Sequence, residues 1–185
     1  SSAPGVHIVG IDNVACGRLA ARTLYARGYR KLAFLGGPEQ ATSTQDRLAG
    51  FRAELQKYPE VSVSHSFADT YTYDAGRREM IRLLEGDRAE AYFGGDDVLS
   101  MGALSAMADA GLSVPDDIGI IGLNDMEMAR WESFSLTTIH QPVIESSIEL
   151  VVAMLGEPDR YPEARVFSCS LVERGTLRPL PAPAA

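Results

Sequence analysis

Three stretches of this sequence end an apolar run on glycine and follow it with hydrogen-bonding side chains. Leu35 runs into Gly36-Gly37-Pro38, Phe93 into Gly94-Gly95-Asp96-Asp97, and Ile121 into Gly122-Leu123-Asn124-Asp125. Glycine lets the backbone turn sharply and lets a ligand approach closely. Ser43 and Arg47 follow soon after the first turn. Carboxylates and amides form paired hydrogen bonds with adjacent hydroxyls, and arginine offers a planar fork of donors. The set Ser43, Arg47, Asp96, Asp97, Asn124 and Asp125 therefore suits a polyhydroxylated ligand.

Each member also has a plainer role open to it. Ser43 can be the N-cap of its helix, and Asp97 is a good N-cap for the helix that follows it. Asp96 is either a ligand contact or a loop residue. Asp125 can cap a short helix at Met126–Arg130, and Arg47 can pair with Asp46 or Glu54 on a helix surface. The doublets Asp96-Asp97 and Asn124-Asp125 could also offer oxygens to Mg²⁺, although nothing marks a phosphate site beside them. The motifs of established chemistries do not occur. There is no GxSxG elbow, no GxxxxGK loop ending in Ser or Thr, and no GxGxxG turn after a strand. His7, His65 and His140 have no metal-ligand spacing, and His140 reads as a structural residue at a strand end. The sequence points to a binding module without catalytic activity, cofactor or metal.

The elements that must hold these residues alternate. Short apolar runs at Val6–Ile11, Lys31–Leu35, Val63–Phe67, Ala91–Phe93, Ile118–Ile121 and Leu136–Ile139 read as strands. Between them the apolar residues fall at helical spacing. Ala15–Arg27 presents Leu19, Ala20, Thr23 and Leu24 on one face, with Gly28 as its C-cap. Leu48, Phe51 and Leu55 mark a second helix, Ala75–Leu84 a third, and Val98, Met101, Leu104 and Ala108 a fourth. Gly111 closes that fourth helix, and Pro115 blocks its resumption. Strand–helix alternation with near-continuous apolar strands predicts an α/β fold, a doubly wound parallel sheet covered on both faces. Ligands of such sheets bind outside the carboxyl ends of the strands, where the glycine turns lie. The last quarter departs from this rhythm: a helix around Ile144–Leu155, a link at Gly156–Glu163, a final strand at Val166–Val172 and a Pro/Ala tail.

Composition limits the partners. The 185 residues are 45% hydrophobic, enough for an ordinary core. The 17 Lys and Arg against 25 Asp and Glu give a net charge of −8, and no basic cluster offsets it. Nucleic-acid affinity rests on neutralising phosphates, so this stretch is not expected to bind DNA by itself. No apolar run reaches the roughly 20 residues of a membrane span, and Ser1–Gly5 lacks the pattern of a signal peptide. Cys16 and Cys169 have no metal or redox spacing and read as small buried hydrophobes. A cytoplasmic protein without membrane contact is the expectation.

Five segments, in order, resemble the lactose-repressor/galactose-repressor family of transcription regulators. They are Asp12-Asn13 with Arg22–Pro38, Ser43-x-x-x-Arg47-Leu48-Ala49-Gly50-Phe51, Gly95–Leu104, Gly111–Gly122, and Leu136-Thr137-Thr138-Ile139-His140-Gln141-Pro142. The resemblance implies a periplasmic-binding-protein-like effector domain, in which two α/β subdomains close on a ligand. It assigns residues 6–139 with 166–176 to the C-terminal effector-binding subdomain. It assigns 142–163 to the returning helix and link of the N-terminal subdomain, and 177–185 to a tail. The family's effector contacts fall on Ser43, Arg47, Tyr71, Asp96, Asn124 and Gln141. Here Asp96 stands where the family often has Asn, and Asn124 where it often has Asp. Purine-binding relatives place a basic residue two before Ser43, where this sequence has Ala41, so a sugar or sugar derivative is the expected effector. A homodimer follows from the same resemblance, as does DNA binding through an N-terminal helix-turn-helix lying outside these residues. A solute-binding protein of a sugar transporter is the alternative on the same fold.

Overall fold

The computed structural model describes residues 8–157 and 164–184. His7 and the start of the expected Val6–Ile11 strand lie outside the described residues, as does most of the Gly156–Glu163 link. The chain order is β1 (Ile8–Ile11), α1 (Asn13–Ala26), β2 (Lys31–Gly36), α2 (Thr42–Leu55), β3 (Ser62–Phe67), α3 (Tyr73–Leu84), β4 (Ala91–Gly94), α4 (Asp97–Asp109) and β5 (Gly119–Ile121). A 3-10 turn at Glu127–Arg130 follows, then β6 (Thr138–His140), α5 (Val143–Gly156), β7 (Ala164–Phe167) and β8 (Ser170–Val172).

Strands β3, β2, β4 and β5 pair in that order, all parallel. Side chains alternate across a strand, and here both faces are buried. Leu32, Phe34, Ala91, Phe93 and Ile121 enter one apolar cluster with Cys16, Leu24 and Phe51 from α1 and α2. Ala33, Leu35, Tyr92 and Ile120 enter another with Met80 of α3 and Met101, Ala103 and Met107 of α4. This two-sided burial is why the strands read as unbroken apolar runs rather than as alternating ones. β3 is the exception: as an edge strand it leaves Ser62–His65 exposed.

Helices α1 and α2 touch backbone to backbone. A Cβ on Gly17 would lie 2.1 Å from the Arg47 carbonyl oxygen, and one on Gly50 would lie 1.9 Å from that of Val14. Only glycine permits this approach, and it brings the first turn of α1 against the middle of α2. Gly76 and Gly102 allow the same closeness between α3 and α4.

The last quarter changes partners. β7 pairs parallel with β1, whereas β8 pairs antiparallel with β6. The expected single strand at Val166–Val172 is therefore two, because one continuous ladder cannot serve two partners of opposite direction. The intervening Ser168 and Cys169 form the joint. β6 runs beside the extension of β5 through Gly122 N–H to the Thr137 carbonyl (2.9 Å) and Asn124 N–H to the Ile139 carbonyl (2.9 Å). The C-terminal segment is anchored by buried Arg27, which donates to Glu173 and to the Arg178 carbonyl (2.7 Å).

Candidate functional site

The carboxyl ends of β2, β4 and β5 and the exit of β6 bring polar side chains together, and Arg47 is the best buried of the cations there. It is 8% exposed. Its Nε donates to Asn13 Oδ1 at 3.0 Å and its Nη1 to the Gly95 carbonyl at 2.7 Å. The surface pairing with Asp46 or Glu54 does not occur. Glu54 instead faces Arg18, Arg22 and Lys57, because it lies two turns beyond Arg47 on the same face of α2, toward the end of the helix.

Asn13 holds a second candidate as well. Gln141, buried where β6 leads into α5, donates from Nε2 to Asn13 Oδ1 at 3.5 Å and to Cys16 Sγ at 3.4 Å. The first turn of α1 thus fixes both Arg47 and Gln141. Asp12 sets that turn by capping the helix, accepting from the Ala15 N–H at 2.9 Å. Asn13 was legible in the sequence only as part of the Asp12-Asn13 pair, with no role attached.

The capping role expected of Asp97 falls to its neighbour. Asp96, not Asp97, is the N-cap of α4, and its Oδ1 accepts from the Leu99 N–H at 2.8 Å. The helix starts one residue earlier than an Asp97 cap would require. Burial pushes the Asp96 carboxyl above its usual range, while the Leu99 N–H and the Arg47 charge oppose the shift. Asp97 is 0% exposed and ties the next two loops together. Its Oδ2 accepts from the Met126 N–H at 2.8 Å and its Oδ1 from the Thr138 hydroxyl at 2.6 Å. Burial pushes its carboxyl up to about 6, against those two hydrogen bonds and with help from the charges of Asp96 and Asp125.

The remaining candidates are placed as follows. Ser43 is half-buried in the first turn of α2, whose N-cap is Ala41, so Ser43 does not cap the helix. Tyr71 lies in the loop before α3, with its ring against Gly37; a Cβ there would meet ring carbons at 2.3 Å. Its hydroxyl is hydrogen-bonded to Thr44. Asn124 is exposed at a φ of 112° and is tied in by its backbone N–H. Asp125 does not cap the 3-10 turn, which begins after Met126 without a side-chain cap. It accepts from Arg174 at 2.6 Å, with Arg130 and His140 Nδ1 each at 3.7 Å. His140 also faces Glu145 at 3.2 Å.

Among the described residues no group of three or more His, Cys, Asp and Glu side chains converges to hold a metal ion. Asp96 Oδ1 and both carboxylate oxygens of Asp97 are met by N–H and O–H donors. Hydroxyl and amide recognition is what this arrangement can do: a buried guanidinium, a carboxamide and a carboxylate held in fixed orientation at a strand-end crevice.

Comparison with known proteins agrees with this fold. The sequence profile of a family described as periplasmic binding protein-like domain matches residues 21–177. The HTH-type transcriptional repressor CytR of Escherichia coli K12 is 31% identical over 183 residues, covering 96% of this chain and 53% of that protein. The ribose operon repressor of the same organism is 30% identical over 165 residues, covering 86% and 50%. The chain thus spans about half the length of these relatives. Among solved structures, a LacI transcriptional regulator from a Rhodococcus species superposes with a TM-score of 0.85 at 30% identity, covering 97% of this chain and 68% of that one. The chain belongs to the periplasmic-binding-protein-like domain family, within the LacI-type transcriptional regulators.

Proposed function

We propose that this chain is the effector-sensing part of a DNA-binding transcriptional repressor that responds to a sugar or sugar derivative. The observation that carries the proposal is the Arg47–Asn13–Gln141 network at the strand ends, with Arg47 and Gln141 buried, beside Asp96. Ser43 and Tyr71 belong to the same rim and Asn124 to its far side; Tyr71 offers an aromatic face for the apolar side of a sugar ring. Support for a sugar comes from the name of the ribose operon repressor. Support for regulation rather than transport or catalysis comes from the relatives, which are transcriptional regulators.

In this proposal residues 6–139 with 166–176 form the effector-binding subdomain. Residues 142–163 belong to a second subdomain that supplies the opposite wall of the crevice. The tail expected at 177–185 begins only after Arg178, because Leu177 lies in the core and the Arg178 carbonyl accepts from Arg27. The β1–β7 pair lies at the crossing between the two, with α5 against β1. DNA contact falls to a helix-turn-helix outside the residues matched here, and the working form is a cytoplasmic homodimer. Among the described residues no helix is long and apolar enough to cross a membrane.

The test is a mobility-shift assay with the intact regulator on DNA from its own promoter region, in the presence of D-ribose, other pentoses, hexoses and nucleosides. One of these ligands should change DNA affinity by about 5- to 150-fold, the range of ordinary allosteric coupling. An intact protein that does not bind DNA, or whose binding no ligand of these classes alters, contradicts the proposal.

A further inference from the structure

The edge strand β3 carries hydroxyls where its neighbours carry the core. Ser62, Ser64 and Ser66 alternate along it and so share one face. Their register partners on β2 are Lys31, Ala33 and Leu35, and Ala33 pairs onward with Tyr92 of β4. Ala33, Leu35 and Tyr92 belong to the apolar cluster that α3 and α4 cover, so the serines continue that face past the edge of the core. Three hydroxymethyl groups and the methyl of Ala33 fill little of the space beside the end of α3. A groove of about 420 Å³ results, walled by Ser62, Ser64, Ser66, Tyr92, Lys31 and Arg82, which is within the size range of small-molecule sites. None of these residues belongs to the strand-end crevice.

Two hydroxyls of this groove have no acceptor for their hydrogens. Ser66 is 9% exposed, and its buried Oγ has no hydrogen-bond partner among the described residues. Tyr92 is 1% exposed; its Oη accepts from the Ala89 N–H at 3.0 Å, and nothing among the described residues accepts from it. Burial pushes the Tyr92 phenol up, so it remains a donor. A buried hydroxyl that leaves water without finding a partner costs stability. On the rim, Lys31 is paired with Asp87, and Arg82 with Glu79 one turn away on α3. Lys31, Arg82 and Asp87 are all well exposed, so these ion pairs are weak and exchange readily. The groove thus sets two cations and four hydroxyls against the single carboxylate of Asp87, in a chain whose net charge is −8.

We propose that the groove between β3 and the end of α3 is a second ligand site, which takes a small phosphate anion, either the free ion or the phosphate of a monoester. Its oxygens accept from the Ser66 and Tyr92 hydroxyls at the inner wall and from Ser62 and Ser64 along β3. Ser66 meets the anion by rotating about its Cα–Cβ bond. Lys31 turns from Asp87 to the bound charge, and Arg82 closes the outer side. Phosphate suits the set better than a carboxylate, because four hydroxyls and two cations exceed what two oxygens can accept. The site goes beyond effector recognition and does not depend on it, since no lining residue is shared.

The test titrates the full chain with sodium phosphate, without any effector, and follows the amide resonances by NMR, with sodium chloride at matched ionic strength as the reference. The shifts should saturate with a dissociation constant of about 1 mM or below and should centre on Ser62–Phe67, Leu83 and Tyr92. Ser66→Ala should weaken binding by about fivefold, and Lys31→Gln by about tenfold. The Ser66 hydroxyl has no partner in the fold, so Ser66→Ala should not lower the urea midpoint, which separates recognition from folding. A second titration with glycerol 3-phosphate distinguishes the two sources: tighter binding than phosphate assigns the monoester, weaker binding the free ion. Shifts that never saturate, that centre on Arg47 and Asp96, or that persist unchanged in both variants overturn the proposal.

Discussion

Asp97→Asn isolates a carboxylate that the fold buries at a cost. Asp97 is fully buried and its carboxyl is raised from 3.8 to about 6. The shift of about two pKa units corresponds to roughly 3 kcal/mol of destabilisation when the group is ionised. The sign follows from linkage. Between about pH 4 and 6 the folded state holds a proton that the unfolded state has released, so this group makes stability fall as pH rises through that window. An asparagine reproduces the protonated acid: its carbonyl can accept from the Met126 N–H, and its amide can donate to the Thr138 hydroxyl. Asp97→Asn should therefore stabilise the chain by about 3 kcal/mol at pH 8, by about 1.5 at pH 5 and by about 0.5 at pH 4. Urea denaturation of both proteins at these three pH values measures the difference directly, with unchanged m-values confirming that the same transition is compared. A variant less stable than wild type at pH 8, or a difference that does not vary with pH, would refute the reasoning about this carboxylate.

Three further outcomes follow from the packing and the rim of the crevice. Gly50→Ala places a methyl 1.9 Å from the Val14 carbonyl oxygen and should cost about 3 kcal/mol in chemical denaturation, because a backbone must move to admit it. Tyr71→Phe should keep effector affinity within about threefold, whereas Tyr71→Ala should weaken it by about tenfold through loss of the aromatic face; equal effects in calorimetry would end the stacking role. The outer face of α5 leaves Ile148 61% and Leu155 78% exposed, so the 185-residue chain should self-associate in light scattering. Ile148→Glu with Leu155→Glu should return it to a monomer, and an unaltered mass would show that this face is not the cause.

The alternation of strands and helices was legible because both faces of β2, β4 and β5 are buried, which writes the core into unbroken apolar runs. The split of the last strand was not legible, since Val166–Val172 gives no local sign that its partner changes from β1 to β6. At the site, the sequence supplied the residue types and the strand-end location, but not which neighbour each side chain would choose. Asp96 and Asp97 are adjacent and chemically identical, so only the starting turn of α4 decides which of them caps the helix. Arg47 read in the sequence as a ligand contact or as half of a helix-surface ion pair. Its bonds to Asn13 and to the Gly95 carbonyl give it a structural share as well, worth about 1–3 kcal/mol.

The most direct test of the account is calorimetric titration of the intact regulator, wild type and Arg47→Ala, with D-ribose and a panel of other sugars and nucleosides. The account predicts saturable binding of at least one member to the wild type. The alanine variant, still folded by circular dichroism, should bind it about 10- to 150-fold more weakly, the loss of 1.5–3 kcal/mol expected for a charge-assisted hydrogen bond. Unaltered affinity in Arg47→Ala, or a wild-type protein that binds no sugar or nucleoside of the panel, would contradict it.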